Sequence, residues 1–480
     1  MVDKDLLSIQ EARALVRSGR KAQAFLGALS QDRVDALTRG IAEAGEAHAE
    51  ELARMAVEDT GFGKWEDKKA KNILASRSLY DHISPMKTIG IINEDNHKKL
   101  LEIATPAGVI AALVPSTNPT STTLYKAMIA VKAGNAIVFS PHPSAANCIR
   151  RTVEIIQEAL AAQGAPRELV TVMSIPTIQG TSELMKKADL ILATGGPAMV
   201  KAAYSSGTPA LGVGAGNVPA FIERSADIPA ALDRIMQSKT FDNGTVCASE
   251  QAIVTETVIA GTVVRELEAR GGYFLTDAEA AKVIPVMERP DGSMNPAIVG
   301  KSAAYIAEKA GISIPANTRL LVYREKGVGP QYPFSKEKLT ALIGFYTAED
   351  WQEACELCFK LLKNGGIGHS LAIHSNNDVV VREFALKKPV SRLLVNTPAT
   401  QGAVGLSTGL PPSFTLGCGM VGGSSTSDNV GPEHLFNVRY VAYDTGELPG
   451  PPSPVAAGQA DMTAEVERIT RMVLSQLEKA

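Results

Sequence analysis

Cys247 lies in the stretch FDNGTVCASE, residues 241–250, and is the first candidate for chemistry. A cysteine thiolate can attack a carbonyl carbon and form a covalent intermediate. The pattern predicts a helix before this stretch and a strand after it. A turn there can expose the sulfur and offer the Cys247 backbone N–H to an oxyanion. A free cysteine among small residues also packs well in a core, so the residues alone leave both roles open.

Asn118 lies in VPSTNPTSTT, residues 114–123, where a predicted strand ends and a helix opens with Pro119. Ligands of open α/β sheets bind at the carboxyl ends of strands, and an amide N–H there can stabilise an alkoxide. Asparagine is equally common as a helix N-cap. Asn118 is therefore a candidate oxyanion donor or a cap.

Three glycine-rich segments allow close approach by a ligand or by another loop: LILATGGPAMV (190–200), LGVGAGNVPAFI (211–222) and GCGMVGG (417–423). The first opens a helix whose N-terminus suits a phosphate, although a plain tight turn explains it as well. The second is a turn that enters a strand. The third contains G-x-G-x-x-G formally, but the SSTSDNVG that follows is not helical, which excludes a dinucleotide fingerprint.

The other cysteines indicate packing rather than metal binding. Cys355 and Cys358 form a C-x-x-C on a predicted helix, but no second pair exists to complete a zinc site. Cys418, in GCGMVGG, is the second candidate thiol. The five cysteines are irregularly spaced, which predicts reduced thiols in the cytoplasm. The absence of Walker A, H-E-x-x-H and G-x-S-x-G motifs argues against P-loop NTPases, zincins and α/β-hydrolases.

The hydrophobic pattern predicts the elements that must position these residues. Residues 5–60 are predicted to be helical. Across 108–222, short strands alternate with helices, which is typical of parallel βαβ units in a doubly wound nucleotide-binding sheet. A second α/β series runs over 228–396, followed by a loop at 397–433 and a strand at 435–444.

Composition excludes some classes of function. The 480 residues suggest two or three domains, and 45% hydrophobic residues are ample for sizeable cores. A net charge of −3 provides no basic surface for nucleic acid or membranes. The charged N-terminus is unlike a signal peptide, and the longest apolar stretches have the length of a strand.

The C-terminal tail differs from the rest. TGELPGPPSPVAAGQAD, residues 445–461, is predicted to be an extended linker. Residues 462–480 place apolar side chains on one helical face. These are Met462, Val466, Ile469, Val473 and Leu477. The helix either folds back on its own domain, stays disordered or docks into a groove of a partner.

Together these stretches resemble the aldehyde dehydrogenase superfamily, and specifically its CoA-acylating branch, from about residue 30 to 444. FDNGTVCASEQ resembles the nucleophile motif and VPSTNP the oxyanion-hole motif, which implies Cys247 and Asn118 as catalytic residues. TLGCGMVGGSSTSDNVGPEHL is typical of the acylating branch. The resemblance also implies contacts to the cofactor from Ser116, Thr117, Ser140, Pro141, His142, Thr194, Gly195, Gly196, Val213, Gly214 and Glu337, and no metal. Glu337 is implied at the nicotinamide ribose.

One departure from the family bears on the mechanism. Hydrolytic members carry a glutamate upstream of the cysteine, which activates water to release the acid. The corresponding turn here is LGVGAGN, with Gly212 at the expected position and no carboxylate in the turn. Water attack on a thioacyl-enzyme is therefore expected to be slow, and the thiol of coenzyme A is the natural second nucleophile.

A second departure concerns the adenosine pocket. Many hydrolytic members have a lysine after the strand that matches AIVFS, where this chain has Ser140, Pro141 and His142. The choice between NAD and NADP rests on these few residues, and NAD is the prediction.

The resemblance implies an α/β aldehyde dehydrogenase fold with five segments along the chain. A doubly wound, Rossmann-like cofactor domain is expected at 1–222, with a strand excursion near 92–107, and an α/β catalytic domain at 223–420. A return loop and oligomerisation strand are expected at 421–444. The linker at 445–461 and an amphipathic targeting helix at 462–480 follow.

The implied reaction oxidises a short-chain aldehyde, propionaldehyde first and acetaldehyde second, with NAD and coenzyme A to an acyl-CoA. The tail resembles the encapsulation peptides of bacterial microcompartment cargo, which implies a location inside such a shell and contact with shell or cargo proteins. Family members oligomerise through strands, so a dimer or tetramer is expected. Two rivals remain: a cysteine acyltransferase or hydrolase that uses His369 or His434 without nicotinamide, and a catalytically inactive scaffold.

Overall fold

In the computed structural model, which describes residues 3–445 and 462–477, the N-terminal part of the chain is helical, as predicted. The first elements are α1 Lys4–Leu26, α2 Gln31–Ala47, α3 Ala49–Thr60, α4 Trp65–Ile73, α5 Leu79–Ile83, β1 Gly90–Asp95 and β2 Leu100–Pro106. A π-helical turn, Leu74–Ser78, joins α4 to α5. Apolar residues at helical spacing face the core, since Val34, Leu37 and Ile41 of α2 are fully buried.

The first sheet and its helices alternate along the chain. They are β3 Val109–Val114, α6 Pro119–Lys132, β4 Ala136–Pro141, α7 Ala146–Ala162, β5 Val170–Val172, α8 Ile178–Lys187, β6 Leu190–Thr194, α9 Pro197–Tyr204 and β7 Ala210–Val213. The strands are parallel in the order β5-β4-β3-β6-β7. The predicted doubly wound sheet is confirmed, and its strand order reverses between β3 and β6, where open α/β sheets bind ligands.

The second sheet has seven parallel strands. Its elements are β8 Val218–Ile222, α10 Ile228–Thr240, β9 Glu250–Glu256, α11 Thr257–Ala269, β10 Gly272–Phe274, α12 Asp277–Met287, α13 Ala303–Ala310, β11 Leu320–Arg324, β12 Leu342–Ala348, α14 Trp351–Lys363, β13 Gly368–His374, α15 Asp378–Lys387, β14 Val390–Val395 and α16 Ala399–Ala403. The strand order is β10-β11-β12-β9-β8-β13-β14. This confirms the second α/β series.

Strand β8 does not belong to the sheet that the sequence predicts for it. The pattern over 108–222 predicts a single sheet, but Ala220 of β8 pairs with Ile253 of β9 and Ala372 of β13. The first sheet ends instead at β7, a four-residue strand that the glycines of this region conceal. A buried run such as VPAFI looks the same in either sheet, so the pattern alone assigns it to its sequence neighbours. The domain boundaries remain predictions.

Two elements complete the chain, β15 Phe436–Ala442 and α17 Met462–Leu477. β15 forms a three-stranded sheet in the order β1-β2-β15, and its Tyr440 is 62% exposed. The described residues of 91–103 and 438–477 group as one compact unit, and those of 3–90 and 104–437 group as another. The linker predicted at 445–461 lies outside the described residues, apart from Thr445.

No helix within the described ranges is both long enough and apolar enough to cross a bilayer.

The candidate site residues lie at the carboxyl edge of the first sheet and at the amino edge of the second. Helix α6 is buried along its whole length, so it fixes the backbone of Asn118 at the carboxyl end of β3. In the second sheet Glu250, at the start of β9, is paired with Val218, at the start of β8. The turn that carries Cys247 therefore lies at the amino edge of this sheet, beside the loop that enters β8.

Candidate active site

Cys247 lies in a turn between α10 and β9, as predicted. A 3-10 segment, Phe241–Gly244, follows α10, and the turn is closed by a hydrogen bond of 2.9 Å from the Ser249 N–H to the Val246 carbonyl. The Cys247 side chain is half-buried, whereas the other four cysteines are buried. Cys247 is thus the least buried of the five cysteines.

The Cys247 thiol is protonated at neutral pH in the free protein. Burial raises its pKa to about 12, and the charge of Glu337 acts in the same direction, while Arg392 and the cysteine's own backbone N–H lower it. A nucleophilic role therefore requires a group that accepts the thiol proton. The role of the Cys247 backbone N–H as a donor to an oxyanion stays a prediction.

Asn118 occupies the N-cap position of α6 but does not cap it. Its Oδ1 accepts a hydrogen bond of 2.7 Å from the Lys71 ammonium. Its Nδ2 has one long contact, 3.4 Å to the Thr117 hydroxyl. Of the two roles that the sequence leaves open, the cap is not made, and the amide N–H groups remain available to a ligand.

Lys68, Lys71, Asp242 and Thr245 form a buried group of charges, here called the lysine–aspartate cluster. Asp242 Oδ2 accepts from Lys68 at 2.9 Å, from Lys71 at 2.5 Å and from the Thr245 hydroxyl at 2.6 Å. Lys71 also approaches the Thr245 carbonyl at 3.4 Å. Because Thr245 lies two residues before Cys247, one ammonium contacts both Asn118 and the turn that carries the cysteine.

Backbone strain accompanies the lysine–aspartate cluster. Asp242 and Asn243 both have left-handed backbones, with φ of 49° and 51°. Such conformations cost about 1–3 kcal/mol each for residues other than glycine and persist where contacts over-determine them. The ion pairs with Asp242 supply those contacts. Gly63 allows the close approach, since a Cβ at that position would lie 1.7 Å from Asp242 Oδ1.

The opposite flank of the cysteine turn consists of Gly216, Glu337, His369 and Arg392, here called the Gly216 side. A Cβ at Gly216 would lie 2.0 Å from the Cys247 carbonyl oxygen and 3.3 Å from His369 Cγ. Only glycine therefore fits between the cysteine turn and the imidazole. The Gly216 N–H donates to Glu337 Oε1 at 3.1 Å.

Burial shifts the pKa of two titratable groups on the Gly216 side toward the uncharged form. Burial raises the pKa of Glu337 to about 7, against the opposing effects of the Gly216 N–H and of nearby lysines. Burial, helped by Arg392, lowers the pKa of His369 to about 3, so the ring is neutral in the working range. His369 Nδ1 contacts the Ser370 hydroxyl at 3.0 Å, and Nε2 has no hydrogen-bond partner among the described residues.

Arg392 joins this side to the glycine-rich GCGMVGG segment. Its guanidinium donates to the carbonyls of His369, at 3.1 Å, and of Gly417, at 2.5 Å. Burial raises the pKa of Cys418 in this segment, and the Gly214 N–H opposes the shift. Cys418, the second candidate thiol, is buried beside the site rather than open to it.

The glycine that lies against the Cys247 carbonyl is Gly216, four residues after Gly212, the position at which hydrolytic family members are expected to carry their glutamate. Gly212 lies in β7, where its carbonyl accepts from the Ser424 hydroxyl at 2.7 Å and a Cβ would meet the Tyr204 ring at 2.8 Å. No carboxylate occurs between 210 and 217, but Glu337, from a distant segment, accepts a hydrogen bond from the Gly216 N–H.

Most of the predicted cofactor contacts lie at the carboxyl edge of the first sheet. Ser116 and Thr117 follow β3 and are half-buried. Thr194 ends β6, Gly195 and Gly196 lead into the exposed first turn of α9, and Val213 with Gly214 ends β7. A Cβ at Gly196 or Gly214 would meet nothing within 4 Å, so both positions border open space.

The adenosine-side residues are less accessible than the sequence predicts. Ser140 and Pro141 are buried in β4, and the Ser140 hydroxyl pairs with that of Thr181 at 2.7 Å. Only His142 is exposed, with its Nδ1 against the Ser144 hydroxyl at 2.8 Å. The side chains of Ser140 and Pro141 are therefore not available for ligand contact in this arrangement.

The two histidines named for a rival enzyme are far from equivalent. His369 lies against Gly216 in the site. His434 donates from Nε2 to Asp428 at 3.0 Å and accepts from the Gly431 N–H at Nδ1, which occupies both ring nitrogens. The sequence alone does not distinguish the two histidines, since both lie in segments rich in glycine and serine.

Several residues of the site are not predicted from the sequence. Arg392 carries a usable signal, because a charged residue within a buried strand must find partners. Lys68 and Lys71 carry none, since lysines on a polar helix normally face solvent. Asp242 lies in the quoted FDNG segment, where an aspartate is ordinary turn chemistry.

The chain is similar to known proteins over most of its length. The aldehyde dehydrogenase family model matches residues 6–283. The bifunctional aldehyde-alcohol dehydrogenase AdhE of Escherichia coli K12 is 43% identical over 442 residues, which cover 91% of this chain and 50% of that protein. The chain thus spans about half the length of the curated aldehyde-alcohol dehydrogenases that it matches.

Solved structures match over nearly their whole length. A probable aldehyde dehydrogenase from Listeria monocytogenes EGD-e is 57% identical with a TM-score of 0.92, over 93% of this chain and 99% of that one. An acetylating aldehyde dehydrogenase from Geobacillus thermoglucosidasius is 48% identical with a TM-score of 0.92, over 94% and 100%. A propionaldehyde dehydrogenase from the fucose utilisation microcompartment of Clostridium phytofermentans is 28% identical with a TM-score of 0.82, over 90% and 97%.

Proposed function

Because the chain belongs to the aldehyde dehydrogenase family, we propose that it is a CoA-acylating aldehyde dehydrogenase that uses NAD⁺ and coenzyme A. The observation that carries the proposal is the turn of Cys247. Its cysteine is the least buried of the five, the Asn118 amide is free to donate, and the loop against it, residues 210–217, contains no carboxylate. This arrangement supports formation of a thioacyl-enzyme that a thiol resolves.

In the proposed reaction the Cys247 thiol releases its proton to solvent, and the resulting thiolate attacks the aldehyde carbon to form a C–S bond. Asn118 Nδ2–H and the Cys247 backbone N–H donate to the resulting alkoxide. NAD⁺, when bound, supplies the hydride acceptor that makes this carbon a thioester carbon. The thiol of coenzyme A then attacks the thioester, Cys247 leaves as thiolate, and acyl-CoA is released.

His369 is proposed to accept the proton of the incoming thiol. Its neutral ring has an unoccupied Nε2, and it packs against Gly216 beside the cysteine turn. A negative charge that develops on the thiol sulfur stabilises the imidazolium and so opposes the effect of burial on the His369 pKa. The missing carboxylate of the 210–217 loop leaves water without a dedicated base there.

The residues at the carboxyl edge of the first sheet fit a dinucleotide. The open space at Gly196 and the exposed first turn of α9 offer backbone N–H groups to a phosphate. Glu337, proposed at the nicotinamide ribose, lies on the same flank of the cysteine as Gly216. No acidic side chain follows β4, where His142 is the exposed residue, and NAD⁺ is proposed on family grounds.

The test is to mix the protein with propionaldehyde and NAD⁺ and to follow NADH absorbance with and without coenzyme A. Without it, we expect a burst of about one NADH per site that then nearly stops, because the thioacyl-enzyme accumulates. With it, turnover continues. Cys247→Ala is expected to abolish the burst, and Cys418→Ala, the matched control at a buried neighbouring thiol, is expected to retain it.

Two results would contradict the proposal. Sustained acid production without coenzyme A means that water resolves the thioester, with Glu337 as the nearest candidate base. Near-wild-type activity of Cys247→Ala removes the site assignment. A thiol-dependent hydrolase or acyltransferase built on Cys247 and His369 is the rival, and it would produce no aldehyde-dependent NADH.

Propionaldehyde is the proposed substrate and acetaldehyde the second choice. The propionaldehyde dehydrogenase of C. phytofermentans supports the first, and the acetylating enzyme of G. thermoglucosidasius supports the second. A comparison of kcat/KM for two-, three- and four-carbon aldehydes decides between them. The highest value is expected for the three-carbon aldehyde.

The C-terminal helix α17 is proposed to target the enzyme to a bacterial microcompartment involved in diol breakdown. It carries exposed apolar residues on one face, Val466, Ile469, Val473 and Leu477, between 50% and 68% exposed. The microcompartment enzyme of C. phytofermentans supports the location. Such a face suits a helical groove on a shell or cargo protein.

The targeting proposal is tested with the full chain in a host that assembles diol-utilising shells. Ile469→Glu combined with Val473→Glu is expected to abolish co-sedimentation with the shells and to leave activity intact. Arg468→Ser with Arg471→Ser, on the opposite face of α17, is the matched control and should still co-sediment. Equal co-sedimentation of both pairs contradicts the role of the apolar face.

A dimer or tetramer is proposed through the sheet of β1, β2 and β15. The exposure of β15 along most of its length, with Tyr440 at 62%, and of Tyr443 just after it, at 57%, supports an interface there. Light scattering on the full chain measures the mass, and a monomer at micromolar concentration would contradict the proposal.

A further inference from the structure

We propose that Lys71 is a positioning residue for the reaction, which orients the Asn118 amide and ties both donors of the oxyanion hole to one buried carboxylate. The inference rests on the proposed function, because it concerns how Asn118 serves Cys247. It assigns a role to a lysine of α4 that lies far from both residues in the sequence.

The contact with Lys71 sets the direction of the Asn118 amide. An asparagine side chain has a donor end and an acceptor end of nearly equal size, and its partners decide which way it faces. Lys71 is a donor without any acceptor capacity, and it contacts Asn118 Oδ1 at 2.7 Å. A reversed amide would oppose two donors. The Asn118 N–H groups are therefore held on the side away from Lys71.

Lys71 also contacts the turn that carries Cys247. The Lys71 ammonium has three protons, and it contacts three acceptors: Asn118 Oδ1, Asp242 Oδ2 at 2.5 Å and the Thr245 carbonyl at 3.4 Å. The Thr245 hydroxyl bonds to the same Asp242 oxygen. The backbone two residues before Cys247 and the side chain of Asn118 thus share one anchor, which fixes the two donors relative to each other.

Lys71 also strengthens the Asn118 N–H groups as hydrogen-bond donors. A cation on the oxygen of an amide draws electron density from its nitrogen, and its N–H groups become stronger hydrogen-bond donors. The side chain of Lys71 is only 3% exposed, so water screens this effect little. The effect is useful only where charge develops, which is the alkoxide formed on attack by Cys247.

Lys68 provides the matched comparison. It is equally buried at 3% and contacts the same Asp242 oxygen at 2.9 Å, but its other contact is the Thr117 backbone carbonyl, at 2.9 Å. It therefore supports the same carboxylate without touching the Asn118 amide. Loss of either lysine perturbs the charge balance of the lysine–aspartate cluster, and only loss of Lys71 releases the amide.

The experiment is a double-mutant cycle on the full chain. The NADH burst rate is measured in stopped flow for wild type, Lys71→Met, Asn118→Ala and the double variant. We expect Lys71→Met to slow the burst about 10- to 100-fold and to cause only a much smaller further loss, through its contact with the Thr245 carbonyl, in the Asn118→Ala background. The dissociation constant of NADH, followed by fluorescence, should not change. Lys71→Arg, which keeps the charge, should recover part of the rate.

The control cycle pairs Lys68→Met with Asn118→Ala. Its losses are expected to multiply, because Lys68 does not act through the amide. If Lys71→Met does not fold, Lys71→Met with Asp242→Asn removes a charge of each sign and is measured in the same cycle. A multiplicative loss for Lys71, or a burst as fast as wild type, overturns the inference. An Asn118→Ala burst as fast as wild type overturns instead the proposed role of Asn118.

Discussion

The charged and polar groups on the two flanks of Cys247 differ in how completely they are paired. In the lysine–aspartate cluster, Asp242 is in contact with two ammonium groups, a hydroxyl and the Lys64 N–H, the last at 2.7 Å. On the Gly216 side, the imidazole of His369 has an unpartnered nitrogen, and Glu337 titrates near pH 7. One flank is held by ion pairs, in which burial lowers the pKa of Lys71 to about 8, and the other holds a neutral imidazole and a carboxyl group that titrates near pH 7.

We expect the two flanks to serve different steps of the proposed reaction. Stabilisation of an alkoxide requires donors that do not move, and removal of one partner from a buried ion pair costs about 3–5 kcal/mol, which keeps such a group rigid. Proton transfer requires a group with a free lone pair. The flanks also come from different sheets, since Asn118 follows β3 and His369 lies in β13.

The largest effect is expected from Asn118. Asn118→Ala removes both amide donors and should slow the NADH burst by about 10²- to 10³-fold, the usual loss for an oxyanion donor. Asn118→Asp is the sharper variant, because it keeps the contact with Lys71 but has no N–H. It should be as slow as Asn118→Ala. An Asn118→Asp enzyme within threefold of wild type would assign the oxyanion to other donors.

His369 should affect the other half of the reaction. His369→Gln keeps a polar side chain that cannot accept a proton, and CoA-dependent turnover is expected to fall about 10²-fold, a typical loss for a general base. The burst without coenzyme A should stay within about threefold. Because a thiolate needs no base, the turnover of the variant should rise with pH up to the pKa of the CoA thiol.

Equal losses in burst and turnover would give His369 a structural role and remove the contrast between the flanks. His374→Gln is a matched control, since His374 lies in the same strand, is buried and has both ring nitrogens without partners among the described residues. It should change stability rather than the ratio of the two rates.

The fold follows from sequence wherever a strand is a buried run between turn residues. AIVFSP predicts β4 at its observed bounds, Ala136–Pro141. β7 is not predicted, because ALGV merges with the glycines after it, and β8 is assigned to the wrong sheet. Periodicity reports burial and direction, but the choice of neighbouring strand depends on contacts far apart along the chain.

The same division applies to the site. Cys247 and Asn118 are found from the sequence because a thiol and an amide carry chemistry that their surroundings make plausible. Lys68 and Lys71 are not, since Asp242 lies 174 and 171 residues away along the chain. His369 is named from the sequence only for a rival enzyme, because it lies near the amino end of β13, where the rule for open α/β sheets predicts no ligand.

The smallest expected effect tests the electrostatics of the Gly216 side. The negative charge of Glu337 helps to raise the pKa of the Cys247 thiol, so Glu337→Gln should lower that pKa and increase the thiolate fraction. At pH 8 we expect iodoacetamide to alkylate the variant about three- to tenfold faster than wild type. The measurement is the alkylation rate of Cys247 in the free enzyme, with the modified peptide identified by mass spectrometry.

The pH dependence of that ratio distinguishes charge from packing. Glu337 titrates near pH 7 and is neutral in wild type below pH 6, so the ratio of variant to wild-type rates should approach one there and widen above pH 7. Glu250→Gln is the matched control, because Glu250 also titrates near pH 7 but its Oε1 accepts from the Ala399 N–H. A ratio that is constant with pH would mean that Glu337 acts on Cys247 through packing, and the Gly216 side would then hold its groups as rigidly as the lysine–aspartate cluster does.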